Sequence, residues 1–514
     1  MDTKTKVAVN AIILYAKIII TMILSLVTVP IVLRALGESD YGIYNLVAGV
    51  ISMLAFLNAS MSISTQRFLS VSKGEGNSAN QNRIFNVSII MHGLVGVAVI
   101  ILLEIFFPFI FSGFLKIEPG RLGAAKLVYQ LLIFSTFFSI LAVPMEAVLN
   151  AEENMLSFSV IDICVSLLKI LLAFFLISSP GDRLVVYGAG MLIITFISFA
   201  TYSLYVLIHY KNKLKVNFSL FDSSLMREMF GFMGWNALGS IAMLGRNQGV
   251  AILFNVFFGT IANAAYGIAN QVHGALQTFS STFQKAINPQ LMISEGMNSR
   301  DRLIRIAFIS SRVSVFVMSV FAVPLILEMP YVLKLWLHEV PDYTAGLCQL
   351  MLLFSILYQF SSGLMSSVQA VGIIRGYMVG MTLLALAVIP ISYFLLQIGL
   401  PVYTVMVVWV SIEGFSLFIR LYQASRVVGI SILGFIRRVL LPLLVSIIAA
   451  TFFAWLIHIY LVEGFFRVIV VSLVFFITFC LFSWFIVFGE DEHLMACRVL
   501  NKVKMQLTIR TQNK

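Results

Sequence analysis

The sequence predicts an all-α integral membrane protein with about 14 transmembrane helices, arranged as two six-helix lobes followed by a C-terminal helix pair. Two observations lead to this fold class. Of the 514 residues, 60% are hydrophobic and 11% are charged, whereas a soluble domain carries about 25% charged residues. The charges form short clusters separated by apolar runs of about 20 residues or more, which is the length that crosses a bilayer core.

The first apolar run follows Lys4 and Lys6 and reaches Leu33. It is longer than the hydrophobic part of a signal peptide and lacks a small-residue cleavage site, so we expect a retained first span. The connections between the apolar runs are short, and no soluble domain is expected on either face. The predicted spans are residues 9–33, 41–63, 84–111, 126–148, 156–178, 184–208, 229–257, 262–284, 306–327, 345–370, 377–398, 402–422, 439–460 and 468–488.

Basic residues are distributed asymmetrically between the predicted faces. Of the 34 Lys and Arg residues, 24 lie in the loops and tails on the side of the termini and seven lie on the opposite side. Because basic loops stay in the cytoplasm, both termini are predicted to be cytoplasmic. This asymmetry also accounts for the net charge of +11, and no nucleic-acid partner is expected.

Two stretches of the chain repeat each other. Gly37 precedes the sequence YGIYNLV at 41–47, and Gly259 precedes YGIANQV at 266–272, an offset of 225 residues. Asn10-Ala11 matches Asn236-Ala237 at nearly the same offset, although short matches in an apolar sequence also arise by chance. An offset of six spans preserves orientation, so duplication predicts two parallel lobes that rock about a central site. The predicted domains are the lobe 1–210, the cytoplasmic linker 211–228, the lobe 229–425, the helix pair 426–488 and the cytoplasmic tail 489–514.

Ionisable residues within spans are costly and are candidates for function. Arg246 lies near the middle of span 7, beside Asn247 and Gln248 and between two glycines. We interpret Arg246 as an anion-binding residue of the substrate site, with Asn247 and Gln248 as neutral amide donors for sugar hydroxyls; the alternative is an arginine paired with a buried carboxylate to hold helices together.

Further charges lie in other spans, each with a structural alternative. Lys17 in span 1 could bind substrate or reach the interface with its long side chain. Asp162 and Lys169 in span 5 share one helical face but are too far apart for a direct pair. Lys169 is a further candidate for substrate binding, with helix packing as the alternative. The carboxylates that could take up a proton or bind Na⁺ during transport, or could equally support helix packing, are Asp162, Glu146, Glu104 and Glu413.

Several other kinds of chemistry have no support in the sequence. The phosphate-binding pattern of P-loop ATPases is absent. The four cysteines (Cys164, Cys348, Cys480 and Cys497) lack metal-binding or redox spacing, and the histidines have no companions at ligand spacing. We therefore expect no metal and no cofactor other than a coupling ion, H⁺ or Na⁺.

The first predicted hairpin, from Pro30 to Leu46, resembles that of the Wzx-like oligosaccharide flippases, members of the polysaccharide transporter family in the MOP (MATE-like) superfamily. The span count and the region from Pro144 to Asn154 with Lys169 are similar too. This resemblance implies translocation of undecaprenyl-pyrophosphate-linked repeat units of O-antigen or capsule across the bacterial inner membrane. It further implies alternating access, no enzymatic activity, a glycan polymerase machinery as partner, and basic residues in a central cavity. Lys17 and Arg246 would occupy such positions.

Two other functions are weighed against a flippase. A MATE-like exporter of cationic drugs would need carboxylates in its cavity, and the apolar cores of spans 1, 2, 7 and 8 contain none. A membrane glycan polymerase or ligase would need a large outer loop with catalytic groups, and the longest outer loop spans only residues 328–344. A pyrophosphate-linked sugar, by contrast, needs cationic and amide partners.

Overall fold

The computed structural model describes residues 3–114, 117–337 and 339–489 of the chain, and within these ranges the regular structure is entirely helical. The all-α prediction is thereby confirmed. The predicted tail 489–514 lies almost entirely outside the described residues. The α-helices are α1 (Thr3–Leu36), α2 (Glu38–Ser52), α3 (Ala55–Gly74), α4 (Ser78–Phe109), α5 (Leu122–Ala151), α6 (Met155–Ser178), α7 (Arg183–His209), α8 (Ser223–Gly296), α9 (Arg300–Leu337), α10 (Thr344–Phe360), α11 (Ser362–Val371), α12 (Arg375–Gln397), α13 (Thr404–Val428), α14 (Ile432–Phe435), α15 (Leu441–Tyr460) and α16 (Phe465–Phe482).

Every predicted span coincides over most of its length with one of these helices or with a closely spaced pair. By length and composition, the described residues contain 11 helices able to cross a membrane, or up to 13 when the bent pairs α2 with α3 and α10 with α11 each count as one span. The exact count of fourteen is not confirmed, because α8 continues for 74 residues through the predicted spans 7 and 8. The chain is thus a multi-pass membrane protein.

Local sequence explains where several helices begin. The side-chain oxygens of Asn77, Asn154 and Asp182 accept hydrogen bonds from backbone N–H groups in the first turns of α4, α6 and α7. These groups would otherwise lack partners at a helix start. The side chain of Asp182 also accepts hydrogen bonds from Arg121, which keeps the pKa of Asp182 below its usual value.

The backbone breaks at Gly37 and Gly259 have nearly the same geometry. Gly37 has φ 79° and ψ 166°, and Gly259 has φ 78° and ψ −170°. Only glycine adopts this conformation without strain. The two repeated sequence motifs therefore each follow the same kind of break, with Gly37 between α1 and α2 and Gly259 within α8.

The contacts divide the chain into two units. The N-terminal unit comprises Ile12–Ala237, and the C-terminal unit comprises the described parts of 1–11 and 238–514. In the N-terminal unit, α5 packs against α2, α3, α4 and α7, and its Tyr129 is fully buried. The division at 237 falls inside α8 and not in the predicted linker, and the proposed duplication of the lobes stays a prediction.

In the C-terminal unit, α9 is the central helix and contacts α10, α11, α15 and α16. The fully buried carboxylate of Glu328 in α9 accepts hydrogen bonds from Arg467 at 2.8 and 3.0 Å and lies 2.8 Å from His458 Nδ1. Phe316 stacks on Phe479 with ring centroids 5.0 Å apart. Polar and aromatic contacts therefore attach the C-terminal helix pair to α9.

Candidate functional site

Arg246 lies in the first half of α8, and only 6% of it is exposed. Its guanidinium carbon lies 4.1 Å from the ring centroid of Trp409 in α13 and 5.6 Å from that of Phe354 in α10. A guanidinium over aromatic faces is stabilised by cation–π attraction, which strengthens when water is excluded. Two aromatic rings from different helices therefore hold this cation.

The hydrogen-bonding capacity of Arg246 is largely unused. Its Nε atom is buried and has no hydrogen-bond partner. Among the described residues, no carboxylate lies within ion-pair distance of Arg246, and the buried Glu413 forms its ion pair with Arg420. Among the described residues, Arg246 is therefore not paired with a buried carboxylate. The arginine keeps N–H donors for a further partner.

Glu413 and Arg420 form a buried pair on α13. Their side chains are 4% and 9% exposed, and they lie seven residues apart on one face of the helix. Arg420, one of the 24 basic residues predicted on the side of the termini, instead lies inside α13 and is buried. Glu413, a candidate for ion coupling, forms its ion pair with this arginine. With Arg246, this part of the unit contains two cations and one anion.

A cavity of about 110 Å³ lies beside Arg246 within the C-terminal unit. Asn247 lines it and has a buried side-chain oxygen without a hydrogen-bond partner. Gln248, predicted as a second amide donor, is exposed and does not line the cavity. The lining residues are Met243, Arg246, Asn247, Asn270, His273, Gln277, Met351, Phe354, Tyr358 and Trp409.

Polar groups on α8 and α10 are linked along the cavity wall. His273 Nδ1 lies 2.7 Å from Ser355 Oγ, and Gln359 donates to Gln277 at 2.8 Å. These bonds fix the orientation of the polar side chains around the cavity. The cavity therefore presents one cation, several amides and three aromatic rings, which suits part of an anionic ligand carrying hydroxyl groups.

Sequence reasoning missed most of the cavity wall. Trp409, His273 and Gln277 lie in apolar spans, where nothing in the local pattern separates them from packing residues. Asn270 carried a signal, because it belongs to the repeated motif after Gly259. The cavity combines residues from α8, α10 and α13 that are far apart in sequence, so their convergence requires the fold.

Lys17 in the N-terminal unit is paired with a carboxylate of another helix. It forms an ion pair with Asp162 of α6, and its Nζ lies 4.6 Å from the ring centroid of Phe158. Tyr202 Oη of α7 donates to the other oxygen of Asp162 at 2.6 Å. The structure thus joins two predicted residues, Lys17 and Asp162, in a network of α1, α6 and α7.

The remaining predicted residues belong neither to the cavity beside Arg246 nor to the ion pair of Lys17 and Asp162. Lys169 is exposed on α6, and Glu104 is exposed on α4 and accepts a hydrogen bond from Gln130 at 3.3 Å. Glu146 is half-buried in α5 and interacts electrostatically with Tyr202. No group of three or more metal-ligating residues occurs within the described ranges.

Comparison with known proteins agrees with the membrane fold. A family model described as "polysaccharide biosynthesis protein" matches residues 7–297. No curated protein sequence matches the chain.

Solved structures with a similar fold are membrane transporters. A MATE point mutant superposes with a TM-score of 0.74 at 14% identity, over 84% of this chain and 97% of that one. An outward-facing multidrug resistance MATE transporter of the MOP superfamily has a TM-score of 0.70 at 15% identity, over 84% and 96%. A MOP superfamily transporter from Pyrococcus furiosus, described as having a binding pocket of reverse polarity, has a TM-score of 0.70 at 12% identity, over 84% and 96%. At these identities, the likeness establishes the fold alone.

Proposed function

Because this chain belongs to the family of polysaccharide biosynthesis proteins, we propose that it is a flippase for undecaprenyl-pyrophosphate-linked oligosaccharide repeat units. It works in the bacterial inner membrane by alternating access, with both termini in the cytoplasm. Its cargo is carried from the cytoplasmic to the periplasmic leaflet for surface polysaccharide assembly. It transports without catalysing a reaction, and a glycan polymerase machinery receives the product.

The observation that carries this proposal is the state of Arg246. A buried guanidinium with a donor lacking a partner, held between aromatic rings beside a cavity, suits an incoming phosphate. Phosphate oxygens accept the paired N–H groups of arginine in a fixed geometry, and low dielectric strengthens that contact. Asn247, Asn270 and Gln277 offer amide groups for neighbouring hydroxyls.

The size of the cavity limits which part of the substrate it holds. A volume of about 110 Å³ is several times the space that one water molecule requires. This is enough for one phosphate group and too little for an oligosaccharide. We propose that Arg246 binds the pyrophosphate and that the glycan lies elsewhere.

A MATE-like exporter of cationic drugs is the alternative function, and the charges on this cavity disfavour it. A cationic drug would meet Arg246, while Glu413 is compensated by Arg420. For ion coupling, the proposed carboxylates are Asp162, which belongs to the network around Lys17, and Glu146, which interacts electrostatically with Tyr202 of that network. Lys17 would bind the anionic substrate only after its ion pair with Asp162 is broken.

Deletion of the gene distinguishes these functions. A flippase defect should trap complete repeat units on undecaprenyl pyrophosphate in the inner leaflet, so surface glycan falls while the lipid-linked intermediate accumulates. An exporter defect would instead leave the intermediates unchanged and raise drug sensitivity. A strain lacking the glycosyltransferase that completes the repeat unit is the control, because it loses surface glycan without accumulating complete units.

A further inference from the structure

Residues 210–221 of the N-terminal unit, between α7 and α8, form a basic connection. Their sequence is YKNKLKVNFSLF, with three lysines and no Asp or Glu. Lys211, Lys213 and Lys215 are all exposed. Within the described residues, Lys213 is the one of the three with a carboxylate in reach, Glu152 at 3.8 Å, which another lysine binds more closely at 2.8 Å. The connection therefore presents positive charge that its own unit leaves largely uncompensated.

The backbone of this connection is held against α4. Asn82 Oδ1 accepts a hydrogen bond from the backbone N–H of Lys215 at 2.8 Å. The amide of Asn86 donates to the carbonyl of Lys215 at 2.8 Å and accepts from the backbone N–H of Asn217 at 2.7 Å. Leu214 is 2% exposed and packs inward. The exposed side chains thus stand on an ordered backbone, so little conformational entropy is lost when they bind a surface.

Apolar side chains of the same connection are exposed too. Phe218 is 60% exposed, Phe221 45% and Val216 44%. The connection starts directly after α7, which has 27 residues. At 1.5 Å per residue this helix is about 40 Å long, which exceeds the hydrocarbon core of about 30 Å. The end of α7 therefore reaches the headgroup region, and the connection lies at the membrane surface.

Charge and apolar exposure together select the partner. Ammonium groups attract anionic headgroups, while exposed aromatic rings enter the boundary between headgroups and acyl chains. The adjoining Asp222 does not cancel the charge of the lysines, because it is paired with Arg83 at 3.0 Å. An acidic protein surface would match the lysines, whereas a membrane surface at this level matches both kinds of side chain.

We propose that residues 210–221 dock on the anionic lipid surface of the leaflet on the side of the termini. The lysines contact lipid phosphates, and the rings of Phe218 and Phe221 insert between the headgroups. This inference goes beyond the proposed function and does not depend on what the protein transports.

Hydrogen–deuterium exchange of the full chain in nanodiscs tests this docking. One nanodisc contains phosphatidylcholine alone, and in the other a third of it is replaced by the anionic phosphatidylglycerol. Each basic residue near an anionic surface strengthens binding about fivefold. Exchange of the backbone N–H groups in 210–221 should therefore be at least about tenfold slower in the anionic nanodiscs. High salt should remove most of this difference, because it screens exposed charges.

Variants test the charge and the insertion separately. Lys211→Gln combined with Lys215→Gln should reduce the effect of phosphatidylglycerol to about fivefold or less, because one lysine remains. Phe218→Ser should speed exchange of the connection in both nanodiscs, since it removes a ring and keeps the charge. Arg437→Gln removes an exposed arginine outside the connection and should leave the effect unchanged. Unchanged exchange in α5, the central helix of the unit, reports that each variant is folded.

Equal exchange of the wild-type connection in the two nanodiscs would show that it does not dock on anionic lipid, and the proposal would be wrong. An effect of phosphatidylglycerol that survives in full in the double lysine variant or at high salt would overturn it as well. Wild-type exchange in Phe218→Ser would overturn the insertion of the ring. The salt dependence of the wild type tests the charges even if a variant fails to fold. None of these results involves Arg246, so the flippase proposal is tested separately.

Discussion

At the scale of single residues, charges in similar apolar surroundings are compensated differently. Glu413 is paired with Arg420, and Lys17 is paired with Asp162. Arg246 instead has aromatic neighbours and a buried donor without a partner. An unpaired cation is the expensive arrangement, so its presence beside a cavity favours a ligand as the missing partner.

The pairing of Glu413 leads to a prediction about stability. Glu413→Gln removes the one anion among the buried residues Glu413, Arg420 and Arg246. It leaves Arg420 without its counter-ion. Loss of one partner of a buried ion pair typically costs about 3–5 kcal/mol. Thermal unfolding of the purified variant should therefore shift to clearly lower temperature.

Glu104→Gln is the control, because Glu104 is exposed and has only one weak hydrogen bond among the described contacts. It should unfold like the wild type. A Glu413→Gln protein with wild-type stability and no transport would contradict the structural role and would return Glu413 to the candidates for ion coupling.

At the scale of helices, the sequence predicted positions well and partners poorly. The predicted spans 156–178 and 184–208 correspond to α6 (Met155–Ser178) and α7 (Arg183–His209). Hydrophobic length and capping residues are local, so these boundaries could be read from the chain. In the sequence, Asp162 shares a helical face with Lys169. In the structure, its partner is Lys17, which lies 145 residues away in the chain. Sequence spacing within one span cannot reveal such a contact.

The glycine breaks give a prediction at this scale. Gly37 and Gly259 share a backbone conformation that L side chains rarely adopt, although the space around both is open. An alanine should therefore cost about 1–3 kcal/mol through backbone strain alone. Gly37→Ala and Gly259→Ala should each lower the unfolding temperature by a similar amount.

Gly267→Ala provides the comparison, since Gly267 lies inside α8, has ordinary backbone angles and also has open space around it. There alanine should be neutral or slightly stabilising. Equal stability of all three variants would show that the two breaks are not strained in the membrane.

At the scale of the whole molecule, the distribution of basic residues predicts the topology. The sequence has 24 basic residues assigned to the side of the termini, including the buried Arg420, against seven on the other side, and this excess predicts that both ends are in the cytoplasm. A phosphatase that is active only in the periplasm should be inactive when fused after Lys514 and active when fused within the 179–182 connection. Activity of the fusion after Lys514 would contradict an even number of spans with both termini inside.

Complementation of the deletion strain by Arg246 variants tests the central claim, that this chain moves an anionic lipid-linked glycan through contact with Arg246. At equal protein abundance, Arg246→Lys should restore part of the surface glycan, because it keeps the charge without the paired N–H geometry. Arg246→Ala and Arg246→Glu should restore little and should leave the lipid-linked repeat units accumulated. Arg437→Ala, which removes an exposed arginine, should restore the wild-type level. If Arg246→Ala restores surface glycan as well as the wild type does, Arg246 is a packing residue and the proposed anion site is wrong.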